Sequence, residues 1–324
     1  RRDPDVVVRP HIAVTLGDPR GIGPEVALRA LERFASHEPS AEVAIALPEC
    51  VVTGDDMADA IREYASAGRT SDAEAGSAAA RSIETAVATA QRGDFHAIVT
   101  APVHKPSLHA AGWDVPGQTE MLGRLTGSEP VGMLMAAETT KLGAPLRVLL
   151  ATTHLALRDV PAAVDEDLLF EQGVLLAQAL RRDWRLPAPR LGLCALNPHA
   201  SDGGLFGDEE ARTFVPAVER LRAAGVDATG PVPADTVFAR ALAGEFDAVV
   251  APYHDVGMAA FKTVAFGSGV NVTLGLPFVR TSPDHGTAFD IAGTGRADES
   301  SMLEALRLAA RLAHARFDTG SGRV

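Results

Sequence analysis

HIAVTLGDPRGIGPE, residues 11–25, reads as a short apolar strand over 11–16 that breaks at Gly17 and re-forms as a helix led by Pro24. Its glycines stand at 17, 21 and 23, which is not the GxGxxG spacing of a dinucleotide-binding turn. By itself this is an ordinary tight strand-to-helix turn. The same grammar recurs along the chain. Further strand-like runs fall at 97–100, 148–153, 191–196, 248–251 and 270–274. Residues 71–74, Ser-Asp-Ala-Glu, form a capping box ahead of an Ala-rich helix that Gly93 ends. Segments 164–182 and 208–224 carry apolar residues at helical spacing. Gly225 terminates the second, which Pro216 kinks or splits, and a last helix covers about 301–315. Strands alternating with helices predict an α/β protein with a largely parallel sheet. A second glycine-rich stretch, 266–271, leads into a strand rather than a helix, so a Rossmann dehydrogenase of the usual kind is disfavoured. Residues 37–70 show no readable period, and 319–324 read as a frayed tail.

The chain has 324 residues, 46% hydrophobic and 22% charged, enough for two domains with cores that need no staples. A formal charge of -12 argues against nucleic acid and anionic membranes as partners, because phosphate surfaces are gripped by dense Lys and Arg. The first ten residues lack the apolar core of a signal peptide, and no run approaches a membrane span. The two cysteines, Cys50 and Cys194, each beside an apolar run, read as reduced buried thiols. A cytoplasmic protein is expected.

Ligands of open α/β folds bind beyond the carboxyl ends of the strands, and reactive side chains fall there repeatedly. The strands are followed by Asp18, by His104 and Lys105, by His154, by Asn197 and His199, and by His254 and Asp255. One such histidine is more often a structural residue than a ligand. Three in the same topological position, His154, His199 and His254, suit a catalytic divalent cation with an open coordination position. Lys262, Asn271 and Arg280 flank the second glycine-rich stretch, a set able to hold a phosphate or carboxylate.

At these residues the sequence resembles the 4-hydroxythreonine-4-phosphate dehydrogenase family of vitamin B6 (pyridoxine) biosynthesis. The matching stretches are GDPRGIGPE (17–25), TAPVHK (100–105), PGQTE (116–120), TTHLALRDVP (152–161), LNPHASDGGLFGDEE (196–210), GPVPADTVF (230–238), YHD (253–255) and VNVTLGLPFVRTSPDHGTAFDIAG (270–293). They keep their order over nearly the whole chain.

The resemblance implies two α/β domains with an active-site cleft between them, of the isocitrate and isopropylmalate dehydrogenase kind. The first would cover 11–125 plus 290–318, the second 126–289. It implies NAD or NADP and one divalent ion (Zn, Mg, Co or Mn) held by His154, His199 and His254, with the third histidine crossing a homodimer interface. It implies substrate contacts from Gln118, Thr119, Lys262, Asn271 and Arg280. Lys262, Asp235 and Asp255 become the candidate catalytic residues, and Asp255 is equally suited to orienting an imidazole. The reaction implied is oxidation, with decarboxylation, of 4-phosphooxy-L-threonine to 3-amino-2-oxopropyl phosphate. Position 118 is Gln where the family has His, position 256 is Val where Gln is usual, and the 35–70 region is short. A Gln can hydrogen bond but carries no charge, which makes a phosphorylated sugar acid, 4-phospho-D-threonate or 4-phospho-D-erythronate, the alternative substrate.

Overall fold

A computed structural model describes residues 9–37, 41–68 and 70–318. The tail expected over 319–324 lies outside the described residues. The chain forms two compact units, residues 1–128 with 276–324, and residues 129–275.

The first unit opens with β1 (His11–Thr15), α1 (Gly23–His37), β2 (Glu42–Ala46), β3 (Val51–Thr53), α2 (Met57–Ser66), α3 (Asp72–Gln91), β4 (Ala97–Thr100), α4 (Lys105–Ala110) and α5 (Gln118–Thr126). β1 and β4 are buried along nearly their whole length and pair in parallel. Strands covered on both faces read as continuous apolar runs, which is why both were legible. The Ser71 hydroxyl accepts from the Glu74 N–H, and the Glu74 carboxylate accepts in return from the Ser71 N–H. Both halves of the expected capping box are therefore present. At the far end of α3, Gly93 takes a φ of 87°, outside the helical range. The unread 37–70 region holds the β2–β3 hairpin and α2. Cys50 sits in that hairpin's turn beside an edge strand and is exposed, which corrects its expected burial; Cys194 is buried.

The second unit contains β5 (Gly132–Ala137), β6 (Leu146–Leu150), α6 (Val160–Ala163), α7 (Glu166–Asp183), β7 (Arg190–Cys194), α8 (Val215–Ala223), β8 (Asp227–Val232), α9 (Ala234–Leu242), β9 (Ala248–Ala251), α10 (His254–Ala265) and β10 (Val270–Leu274). Its strand order is β10-β5-β6-β9-β7-β8. β5 is antiparallel to both neighbours and the remaining pairs are parallel. The expected 208–224 helix is split. A π turn over Glu210–Phe214 precedes α8, and Pro216 stands in the first turn of α8. A proline donates no N–H, so the α ladder cannot run through it and the wider turn takes up the slack. The starts of β7 and β9 are tied by Asp247, whose carboxylate accepts from the Arg190 backbone N–H (2.8 Å), Nε (3.1 Å) and Nη2 (3.0 Å). The two ends of this unit meet. Gly275, at φ +92°, lies so close to Pro130 that a Cβ there would stand 2.3 Å from the Pro130 carbonyl oxygen.

The chain then returns to the first unit through β11 (Val279–Pro283) and α11 (Ser300–Phe317), completing the order β3-β2-β1-β4-β11. Residues 276–289 thus fall in the first unit and not, as expected, in the second. The cause is the parallel pairing of Val279, Arg280 and Thr281 with Ala97, Ile98 and Val99 of β4. α11 buries Met302, Leu303, Leu306 and Leu308 against β11, β4 and α1. No helix among the described residues is long and apolar enough to cross a membrane.

Candidate active site

His154 and His254 are brought together by strand pairing. β6 and β9 run in parallel with Leu150 opposite Ala251. The pairing continues past both strands, since the Ala151 N–H donates to the Ala251 carbonyl (2.9 Å) and the Thr152 hydroxyl to the Pro252 carbonyl (2.7 Å). The two loops therefore leave the sheet side by side, and the imidazole centroids stand 5.6 Å apart with 39° between the ring planes. His254 opens α10, whose approach to the sheet depends on Gly257. A Cβ there would meet Leu150 Cδ2 at 2.6 Å and Val148 Cγ1 at 3.1 Å. Asp255 shares a 2.7 Å hydrogen bond with His254 Nδ1, which leaves Nε2 as the outward donor atom. Two imidazoles bound tetrahedrally to one first-row cation, at about 2 Å per bond, hold their centroids roughly 5 Å apart. The pair fits half of such a coordination shell.

His199 is not part of this pair. Among the described residues, no group of three or more His, Cys, Asp or Glu could hold a metal ion. After β7 the chain enters an arc in which His199, Ala200, Ser201, Asp202 and Gly203 take φ of 53°, 54°, 69°, 45° and 68°. This left-handed arc turns exposed His199 toward α9, where it lines a cavity of about 290 Å³ with Asn197, Ala234 and Asp235. Each side-chain-bearing residue in that conformation costs on the order of 1 kcal/mol. The offset comes from Glu210, a carboxylate only 3% exposed. Its Oε1 accepts from the backbone N–H groups of Leu196 (2.9 Å) and Asn197 (2.6 Å), and its Oε2 from the Asn197 amide (2.9 Å) and the Ser201 hydroxyl. Burial pushes this carboxyl up, but the donors of Asn197 and Ser201 outweigh it and hold Glu210 below the usual carboxylate range.

Of the expected substrate contacts, Lys262 lies on α10 and Asn271 on β10 of the second unit. Gln118 and Thr119 open α5, and Arg280 lies on β11, in the first. The Asn271 Oδ1 is buried without a hydrogen-bond donor. Gln118 donates through Nε2 to the Ala101 carbonyl (3.2 Å), while its Oε1 is buried and unpartnered. Arg280 is 2% exposed and donates to the Thr100 hydroxyl at 2.7 Å. Burial lowers its pKa to about 10, against the opposing pull of Glu120. A buried guanidinium that is still a cation at neutral pH is suited to an anion.

The GDPRG turn is knitted to the loop after β4. Asp18, fully buried, accepts from Arg20 Nε (3.0 Å), Arg20 Nη2 (2.9 Å) and the Ser107 hydroxyl (3.1 Å). His104 Nδ1 lies 2.9 Å from the same hydroxyl, and its ring meets Phe289 edge-on with centroids 5.0 Å apart. Asp18 and Asp72 raise the pKa of Arg20, fixing it as a cation. In the first unit a cavity of about 580 Å³ adjoins this turn, bounded by Pro24, Leu28, Ile61, Arg20, Arg29 and Gly293. Arg20 is paired with Asp18 and Asp72, and Arg29 with Glu25, so a cofactor fragment lodged there would rest mainly on the apolar wall.

The family model described as "Pyridoxal phosphate biosynthetic protein PdxA" matches residues 16–309. The chain belongs to this family. Its PdxA relatives include a 4-hydroxythreonine-4-phosphate dehydrogenase of Desulfosudis oleivorans, 42% identical over 93% of this chain and 95% of the relative. A D-threonate 4-phosphate dehydrogenase of Cupriavidus necator is 44% identical over 94% of this chain and 97% of that protein. The 1.25 Å crystal structure of a 4-hydroxythreonine-4-phosphate dehydrogenase from Klebsiella pneumoniae matches with a TM-score of 0.77 and 37% identity, over 95% of this PdxA chain and 99% of that one. An isocitrate dehydrogenase from Methylococcus capsulatus, at 14% identity and TM-score 0.52, shares the fold, as the family resemblance implied.

Glu210 is the contributor that motif reading passed over. It precedes Phe214, Val218 and Leu221 at helical spacing, so it stands on their buried stripe. A charge on an apolar stripe is the one signal that could have exposed it.

Proposed function

We propose that this protein is a nicotinamide-linked dehydrogenase that depends on a divalent metal, with 4-phosphooxy-L-threonine oxidised and decarboxylated to 3-amino-2-oxopropyl phosphate. The observation that carries the reading is the His154–His254 pair at the ends of two adjacent parallel strands, one ring braced by Asp255. We assign His154, His199 and His254 to a divalent cation; the expectation put the third of these, His254, on a second copy, but its pairing with His154 favours one subunit for those two and a second copy for His199. Bound there, the cation supplies Lewis-acid polarisation of the substrate's alcohol oxygen. Asp255 fixes the His254 ring so that Nε2 faces outward. Lys262, Asn271, Thr119 and Arg280 are assigned to the phosphorylated substrate, whose remote phosphate orients the reacting carbon. Asp235, beside His199 in the cavity after β7, is the candidate proton acceptor. The hydride goes to NAD or NADP. The setting is a cytoplasmic homodimer.

A second reading, oxidation of 4-phospho-D-threonate or 4-phospho-D-erythronate, is favoured by Gln118. Its buried, unpartnered Oε1 is an acceptor for a hydroxyl hydrogen, and the neutral amide brings no charge to set against an ammonium group. NADH formation at 340 nm with each phosphorylated acid decides between the two. We expect 4-phosphooxy-L-threonine to give the higher kcat/KM, and a tenfold preference for a sugar acid overturns the first reading. Gln118→His is expected to move that ratio toward the amino acid.

A further inference from the structure

The arc that carries His199 is a conformation its own residues disfavour. Four of its five members bear side chains, and of these only His199 and Asp202 are of types that enter left-handed φ with any ease. The constraint comes from outside the arc. Glu210, buried in the π turn ahead of α8, faces only donors: two backbone N–H groups at the mouth of the arc, the Asn197 amide, and the Ser201 hydroxyl within it. Glu209 adds a second carboxylate on the Asn197 amide at 2.7 Å. Four donors converging on two oxygens call for a carboxylate. A Gln side chain would turn its own N–H bonds toward donors on one side.

We infer that Glu210 is a positioning residue for His199: by gripping both ends of the Asn197–Ser201 turn it holds the left-handed arc and so sets where the His199 imidazole is presented. The inference rests on the reading of His199 as a metal ligand. It predicts that Glu210 governs metal affinity without touching the metal. The carboxylate and the arc are two parts of one device, so relaxing the arc by other means should make the carboxylate less necessary. Ala200 offers that handle. It makes none of the Glu210 contacts, and at its φ of 54° glycine is at ease where alanine is not.

The experiment uses the full-length, metal-stripped protein titrated with Zn²⁺ against a chromophoric chelator, alongside its thermal unfolding midpoint and chymotrypsin cleavage at the exposed Leu205–Phe206 step. Glu210→Gln should weaken Zn²⁺ binding about 10- to 100-fold and speed loop cleavage. Adding Ala200→Gly to that variant should recover about fivefold in affinity, the return expected from relieving one left-handed residue. Ser201→Ala, which removes one of the four donors and spares the carboxylate, should lose a smaller factor, about threefold, and serves if Glu210→Gln does not fold. His199→Ala is the control for the underlying reading. Wild-type Zn²⁺ affinity in Glu210→Gln while His199→Ala binds poorly overturns the positioning role alone. Wild-type affinity in His199→Ala overturns the metal-ligand reading and the inference with it. Affinity lost in Glu210→Gln but not regained with Ala200→Gly overturns the arc as the route.

Discussion

Asp247 shows how one side chain can join two strands that are far apart in sequence. It accepts three hydrogen bonds from Arg190 at the starts of β7 and β9, and its carboxylate is 21% exposed. Burial raises its pKa, but the Arg190 bonds outweigh it and hold the carboxyl below the usual carboxylate range. A carboxyl whose folded pKa is depressed contributes stability that is complete above its unfolded value and is lost as pH falls through the folded value. Asp247→Asn should therefore cost about 1–2 kcal/mol at pH 7, and the deficit should close below pH 4. Urea unfolding of both proteins across pH 3–7 reads this directly; a deficit independent of pH sinks the assignment. The same scale shows what the sequence made legible. His154 and His254 could be placed because the runs before them are plain apolar strands. Asp18 could be placed after its strand in the same way, but Glu210 could not, because burial of an individual carboxylate is decided by partners distant in sequence.

Between residues and the whole chain, the elements succeed or fail as readings for a physical reason each. β4, β9 and β10 were legible to the residue because β9 is apolar throughout, β4 is apolar up to Thr100, and in β10 Val270, Val272 and Leu274 alternate with Asn271 and Thr273. β8, with Gly230 and Pro231, and β11, with Arg280 and Pro283, carry residues that sequence reading takes for loop. β11 is nonetheless buried along its full length, its arginine included, because β4 and α11 enclose it. The π turn before α8 was anticipated only as a kink at Pro216. α10 depends on a missing side chain. Gly257→Val would drive a branched group into Leu150 and Val148, so it should destabilise the second unit by about 1–3 kcal/mol. The helix start would shift with it, so weaker metal binding should accompany the lower unfolding midpoint. A variant with lowered stability but unaltered Zn²⁺ affinity would detach α10 placement from His254.

For the molecule as a whole, a metal centre with His154 and His254 from one copy and His199 from another makes a sharp demand. His154→Ala and His199→Ala proteins should each be inactive. Refolded together, they should regain about a quarter of wild-type activity, because half the dimers are mixed and each mixed dimer has one intact site. No recovery on mixing would mean that the three rings do not belong to a shared centre. Nothing in the strand pattern suggests a shared centre; that expectation comes from the family resemblance alone, since a sequence does not display which copy a side chain serves.

The meeting of Gly275 with Pro130 has its own consequence. A segment that departs and returns through neighbouring residues is an inset, entered and left at one place in the chain. Residues 129–275 made alone should give a monomeric, cooperatively melting fragment with ordered near-ultraviolet circular dichroism. The remainder, with 128 and 276 joined by a short glycine-serine bridge, should fold as well.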